Sequence, residues 1–159
     1  MSDAAGVGGA HDVLADTVAA AAQAVRDGGA PFAAAVVLDD VVVSFEVNGV
    51  GRHLDPTAHA EVCAIRSACR SLGTVDLSGA VLYASCEPYL MCAASAIWAG
   101  VGRVVYAAPI EAVATGIAIA ELFPPESVDW SQLPLARQFV PVAQAWRTLA
   151  EWQPDAVGR

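Results

Sequence analysis

Two short segments of this chain carry residue types able to do chemistry. Thr57-Ala58-His59-Ala60-Glu61 sets an imidazole two positions before a carboxylate, and Ser85-Cys86-Glu87-Pro88-Tyr89-Leu90-Met91-Cys92 gathers two thiols, a carboxylate and a phenol. Each leads into apolar residues at helical spacing. Each therefore puts a soft or borderline ligand at a helix N-terminus, where the backbone dipole stabilises negative charge and lowers a thiol's pKa. His59 and Cys92 could share one zinc ion, with Glu61 held beside it as a non-ligating acid/base.

The elements that must position these residues follow from periodicity. Asp12 reads as the N-cap of a first helix, in which Leu14, Val18, Ala21 and Val25 recur at helical spacing up to Arg26. Gly28-Gly29 stops that helix, and Pro31 imposes an extended entry. The apolar runs Ala33 to Leu38 and Val41 to Val47, separated by Asp39-Asp40, predict a β-hairpin. A loop over Asn48 to Thr57 precedes a second helix from Ala58 to Leu72, ended by Gly73. Val81 to Ala84 predicts a strand, Pro88 to Trp98 a helix and Arg103 to Ala107 another strand. Glu111 to Leu122 reads as a helix weakened by Gly116, Pro124-Pro125 opens a looser segment, and Gln138 to Trp152 reads as the last helix. The strand-helix-strand order of the second half implies an α/β sandwich with a mixed sheet.

Composition bounds what such a site can serve. At 159 residues the chain suits one domain, expected over 11–159 after a flexible Gly/Ala-rich stretch at 1–10. That stretch lacks the basic and apolar regions of a signal peptide, so a cytoplasmic location is expected. Hydrophobic residues make up 56% and charged residues 16%, which excludes disorder for most of the chain. The net charge of −9 argues against nucleic acid and against an anionic membrane, and favours a small neutral ligand or a protein partner. Four cysteines are few for a disulfide scaffold and point to a reducing compartment, a metal or packing.

Together the two segments resemble the H-x-E…P-C-x-x-C signature of the zinc-dependent cytidine deaminase superfamily. The resemblance extends over nearly the whole chain towards the bacterial guanine deaminase branch and related nucleobase or nucleoside deaminases. Gly29-Ala30-Pro31-Phe32-Ala33-Ala34 matches that branch's G-G-P-F-G-A turn with alanines at two glycines. Asp55-Pro56-Thr57-Ala58-His59-Ala60-Glu61 fits its D-P-T-A-H-A-E run, and Asn48 stands eleven positions before His59, where the branch places a base-binding asparagine. Ser85-Cys86-Glu87-Pro88 and Leu90-Met91-Cys92 fit its S-C-E-P-C-P-M-C run except at two positions, and Trp98-Ala99 and Val104-Val105-Tyr106 align without a gap.

The important departure is Tyr89, which stands where the signature has its first cysteine. A phenol oxygen lies several ångström further from Cα than a thiolate sulfur does, so it cannot take the same place without backbone movement. Its pKa, about 10, must also fall before it binds as phenolate. Cys86, three residues upstream, is the alternative third ligand and would keep the ligand types, although the branch often carries a cysteine there without using it. A site with only two protein ligands, or without metal, is the remaining reading.

The resemblance implies a three-layer α/β/α sandwich with a central mixed sheet of about five strands. It implies one zinc held by His59, Cys92 and either Cys86 or Tyr89. The implied reaction is hydrolytic: an activated water attacks the amino-bearing carbon of a purine, pyrimidine or triazine, and Glu61 carries the proton to the ring and then to departing ammonia. Asn48 would bind the ring edge, Phe32 would form one wall, and the backbone N–H of Ala60 would meet the substrate carbonyl. The expected partners are a small-molecule base or nucleoside and a second copy of the chain, docked through the helices that carry the metal motifs, with Ala93 to Trp98 suited to that contact.

Two alternatives stand beside this. Tyr89 favours a catalytically silent protein that keeps the fold as a binding subunit. A tRNA adenosine deaminase-like editor is disfavoured by eight basic against seventeen acidic residues. Elsewhere, Cys63 and Cys69 read as packing, His53 as a loop residue, Glu87 as a structural charge, Glu111 and Glu121 as solvated, and Trp98 as packed. Trp146 and Trp152 read as core or interface, and the C-terminal tail as a candidate lid.

Overall fold

The computed structural model describes residues 10–113 and 129–152. Strands β1 (Ala33–Leu38) and β2 (Val41–Val47) form the expected antiparallel hairpin. Its turn holds Asp39 and Asp40 at φ 50° and 62°, the left-handed pair that lets a two-residue turn follow the twist of its strands. The ladder slips between Val36 and Val37, a bulge that bends the outer strand.

Strand β3 (Val81–Ala84) pairs antiparallel with β1, and β4 (Arg103–Tyr106) and β5 (Ala136–Phe139) continue in parallel, giving the order β2-β1-β3-β4-β5. Helices α1 (Ala10–Arg26) and α5 (Ala143–Glu151) cover one face, while α3 (Ala60–Leu72) and α4 (Leu90–Trp98) cover the other. Strand side chains alternate between the two layers: Ala34, Val36, Leu82 and Val104 meet α3 and α4, while Ala35, Val37, Tyr83 and Val105 meet α1 and α5. This is the α/β/α sandwich with a mixed five-stranded sheet.

The apolar surplus is built largely from small residues. Ala60, Ala64 and Ala68 of α3 and Ala93 and Ala96 of α4 are all buried, which lets both helix backbones lie close to the sheet. Ser44 of β2 donates to the Ala64 carbonyl at 2.7 Å, tying α3 to the sheet edge. Gly73 closes α3 at φ 67°, its N–H bonded to the Cys69 carbonyl, a conformation that suits glycine.

Several expectations change. The first helix begins at Ala10, before Asp12, and α3 begins at Ala60 with His59 as its cap. The loop after β2 contains a short helix, α2 (Val50–His53). Gln138 belongs to strand β5 and not to the last helix. Pro141 explains this: it disfavours helical backbone at Val140, so the helix starts only after it. Ile110–Ala112 forms a 3₁₀ turn where a longer helix was expected; the rest of that expected helix, with Gly116 and Glu121, lies outside the described residues, as do Pro124-Pro125 and the tail beyond Trp152. Trp98 is 91% exposed and not packed, because as the last residue of α4 it projects away from the sheet layer.

Candidate active site

The site forms where two helices begin. His59 caps α3 and Tyr89 caps α4, both in extended backbone and neither with a side-chain capping bond. Their side chains are therefore left for other work. An Asx turn prepares the first: Asp55 Oδ1 accepts from the Thr57 N–H at 2.8 Å and from its hydroxyl at 2.6 Å, and Ala58 N–H bonds to the Asp55 carbonyl. The carboxyl of Asp55 is held below its ordinary value by those Thr57 bonds. The second cap follows the Ser85–Pro88 turn, which is strapped to β1. Ser85 N–H bonds to the Ala33 carbonyl at 3.0 Å, and the Ser85 hydroxyl accepts from the Ala33 N–H at 3.0 Å.

This brings three donors together. Cys92 Sγ lies 3.5 Å from His59 Nδ1 and 3.5 Å from Glu61 Oε2, and all three atoms fall within 4.8 Å of one another. Cys92 and Glu61 are buried. Burial pushes the Glu61 carboxyl up, opposed by the nearby His59. Burial, and then the Glu61 carboxylate, push the Cys92 thiol well up. Two acidic groups so placed become anions readily only beside a cation, and the imidazole nitrogen and thiolate sulfur of His59 and Cys92 are donors that zinc accepts. The residues fit the metal.

The two candidates for a third ligand both pack in the cluster formed with α1 and α5, but differ in burial and in nearness to His59. Cys86 is buried in the cluster formed with α1 and α5, its Sγ 4.0 Å from the Pro109 carbonyl. Burial, with Glu61 and Glu111, pushes its thiol well up, and it is not among the three clustered donors. Tyr89 presents its ring edge-on to His59, with centroids 6.0 Å apart, and is half-buried. Burial pushes its phenol up to about 12.

The expected substrate-binding residues sit just before β1, just after β2 and at the start of α3. Asn48 donates its N–H to the Phe32 carbonyl at 2.9 Å, and its Oδ1 accepts from Val50 N–H at 3.1 Å. Gly49 permits that turn, since a Cβ there would come within 2.5 Å of the His53 ring. Phe32 packs against both core layers and meets Trp152 edge to face, ring centroids 5.9 Å apart. The end of α5 thus reaches the expected pocket wall. Ala60 is fully buried at the first position of α3, where a helix N–H has no intrahelical acceptor.

Sequence reasoning missed Arg137, which pairs with Glu87. Its strand was hidden because it is only four residues long, between Pro134 and Pro141, and shows no apolar/polar alternation. Glu87 itself is structural, as expected: its Oε2 accepts from Ile110 N–H at 3.0 Å.

Residues 10–108 match the family model described as the cytidine and deoxycytidylate deaminase zinc-binding region. The chain belongs to this family; it is a zinc-binding deaminase, a hydrolytic aminohydrolase. It is similar to the guanine deaminase of Bacillus subtilis (strain 168), with 38% identity over 130 residues, covering 77% of this chain and 83% of that one. The X-ray structure of guanine deaminase from Bacillus subtilis superposes with a TM-score of 0.69 at 33% identity, over 92% of this chain and 98% of that one. The tRNA-specific adenosine deaminase of Aquifex aeolicus is 38% identical over 88 residues, 55% of this chain and 58% of that relative.

Proposed function

We propose that the chain hydrolyses the exocyclic amino group of a free nucleobase or nucleoside, first among them a guanine-like purine, then cytosine-like, triazine or other non-standard bases. The observation that carries this reading is the buried trio of His59, Glu61 and Cys92. In it, His59 and Cys92 hold the zinc, and Glu61 is the proton carrier. Tyr89, whose ring lies beside His59, is read as the third contact in preference to Cys86, which stands outside the clustered donors. Bound zinc supplies a water made nucleophilic near neutral pH.

The chain's own residues do the rest. Glu61, kept from solvent, takes a proton from the attacking water and gives it to the ring nitrogen, then takes the proton of the newly added hydroxyl and delivers it to the departing amine. Water and substrate thus become an oxo base and ammonia. The orphan N–H of Ala60 meets the substrate carbonyl, the Asn48 amide fixes the ring edge, and Phe32 with Trp152 lines one wall. Similarity to guanine deaminase supports the purine. Similarity to tRNA-specific adenosine deaminases favours a second reading, an RNA substrate, against which the net charge of −9 weighs.

A homodimer belongs to the same reading, supported by the exposed Trp98 at the end of α4. So does a cytoplasmic location; among the described residues no helix is long and apolar enough to cross a membrane. The test is ammonia release from a panel of aminopurines, cytosine analogues and triazines, with zinc measured on the same samples. Glu61→Gln is expected to lose turnover and keep ligand binding. Turnover like the wild type in that variant, or a chain under about 0.1 zinc with no turnover on any base, overturns the reading.

A further inference from the structure

Glu87 carries a charge that the proposed chemistry does not use. It lies between Cys86 and Pro88 in the turn that delivers the α4 cap, and its side chain is 11% exposed. Its N–H and both carboxylate oxygens are paired. Its N–H donates to the Ala108 carbonyl at 2.8 Å, Oε2 accepts from Ile110 N–H at 3.0 Å, and Oε1 meets the guanidinium of Arg137.

Arg137 is equally constrained. It comes from β5, its guanidinium carbon stands 4.0 Å from the Trp130 ring centroid and 5.6 Å from that of Tyr106, and burial lowers its pKa. A planar guanidinium stacked on an indole loses little freedom when it pairs. The pair is therefore held in one geometry from both sides.

The use of basic residues adds a second observation. The chain has eight lysines and arginines. Among the described residues two ion pairs form: Arg66 with Asp55, and Arg137 with Glu87. Asp55 lies in the loop before His59, and Glu87 in the turn before Cys92. Both pairs thus fasten a segment that delivers a metal donor. The Asp55 pair is exposed and worth little, whereas the Glu87 pair is covered and stacked.

We propose that Glu87 and Arg137 are positioning residues, a latch from β5 that sets where α4 begins and so holds Cys92 Sγ in register with His59 Nδ1. This rests on the reading of His59 and Cys92 as zinc donors. The Ser85 strap fixes one end of the turn to β1, and the latch fixes the other to β5 and to the segment after β4. With both in place, Tyr89 caps α4 at one point only, and Cys92 follows on the first turn. Without the latch the turn keeps one anchor, and the cap can shift along the chain.

The test compares the wild-type chain with Glu87→Gln, Glu87→Asp, Arg137→Met, Arg137→Lys and the Glu87→Gln/Arg137→Met double variant. Zinc affinity is measured by chelator competition. The cobalt-substituted chain is read by its sulfur-to-cobalt charge-transfer and visible d–d bands. Glu87→Gln and Arg137→Met are each expected to weaken zinc about tenfold and to shift the cobalt bands. The double variant is expected to lose no more than either single one, since both remove the same contact. Glu87→Asp and Arg137→Lys keep the charges but shorten the reach or lose the stacked plane, so an intermediate loss of about threefold with a partial band shift is expected, and they carry the test if the neutral variants do not fold. Wild-type zinc affinity and bands in the variants, with only a lower thermal midpoint, would mean a plain structural brace and overturn the latch alone. Losses that add in the double variant overturn it too. A wild-type chain that takes up neither metal overturns the donor reading and the latch with it.

Discussion

Cys92 Sγ stands 3.5 Å from His59 Nδ1, although thirty-three positions separate the two in the chain. The closeness comes from two helices that begin at the same place, one after an Asx turn and one after a turn strapped to β1. Each helix points first-turn N–H groups there that have no intrahelical acceptor, which favours an anion at this place. A thiol and a carboxyl can share that place while protonated, and both gain when a cation lets them ionise.

The substitution at position 89 leaves this site one thiolate short of the family signature. Structural zinc sites gain roughly 10–16 kcal/mol from about four such ligands. Restoring a thiolate with Tyr89→Cys is therefore expected to tighten zinc on the order of a hundredfold. Cys86→Ser, in the packing cluster, should leave zinc affinity within about twofold. Chelator competition on the three proteins checks both. A large loss in Cys86→Ser would make Cys86 the third ligand.

Burial holds the Glu61 carboxyl above its ordinary 4.5, which fixes the sign of a stability effect in the metal-free chain. Above 4.5 the unfolded chain has ionised this group while the folded chain keeps its proton. The stabilising contribution is whole below 4.5 and is lost as pH rises through the folded value. Glu61→Gln, which cannot ionise, should match the wild type near pH 4 and exceed it increasingly above, by at most about 1.4 kcal/mol per pH unit. Urea unfolding in chelator over a pH series measures the gap. A gap that does not change with pH would contradict the burial of that carboxyl.

The Asn48 amide does two jobs with different atoms, and they can be separated. Its Oδ1 accepts from Val50 N–H, so it orders α2; the amide nitrogen is the donor proposed for the substrate. Asn48→Asp keeps an acceptor for Val50 and removes that donor. It should lower kcat/KM about 10- to 100-fold through the lost hydrogen bond. Zinc content and thermal midpoint should stay close to wild type. An unchanged kcat/KM would remove Asn48 from the substrate site.

How much of this was legible in the sequence differs by region. Strands β1 and β3 are continuous apolar runs and β2 a mainly apolar one, all bounded by turn residues, and they fold at the predicted bounds. His59, Glu61 and Cys92 were legible because each sits at a helix start marked by a proline or an aspartate within a few residues. The third ligand was not, because spacing places Cys86 and Tyr89 near the same cap without saying which of the two side chains reaches His59. Strand β5 escaped because its polar residues Arg137 and Gln138 carry no apolar pattern, and only the pairing with β4 makes it a strand. Exposure of Trp98 was equally hidden, since α4 is apolar all round and its sequence does not mark an outer face.

Two buried serines should respond differently to the same change. Ser85 Oγ accepts from the Ala33 N–H, a buried donor at the first residue of β1. Ser85→Ala leaves that N–H without this acceptor, and an orphaned buried donor costs about 1–3 kcal/mol. Ser44 Oγ instead donates to the Ala64 carbonyl, which as a helix carbonyl also has the N–H four residues on. Removing Ser44 Oγ orphans nothing and should cost no more than about 1 kcal/mol. The two also differ in reach: Ser85 anchors the turn that delivers Cys92, whereas Ser44 only ties α3 to the sheet edge. Ser85→Ala is thus expected to lower both the urea midpoint and zinc affinity, and Ser44→Ala the midpoint alone. Equal losses of zinc in the two variants would show that the turn is not held through Ser85.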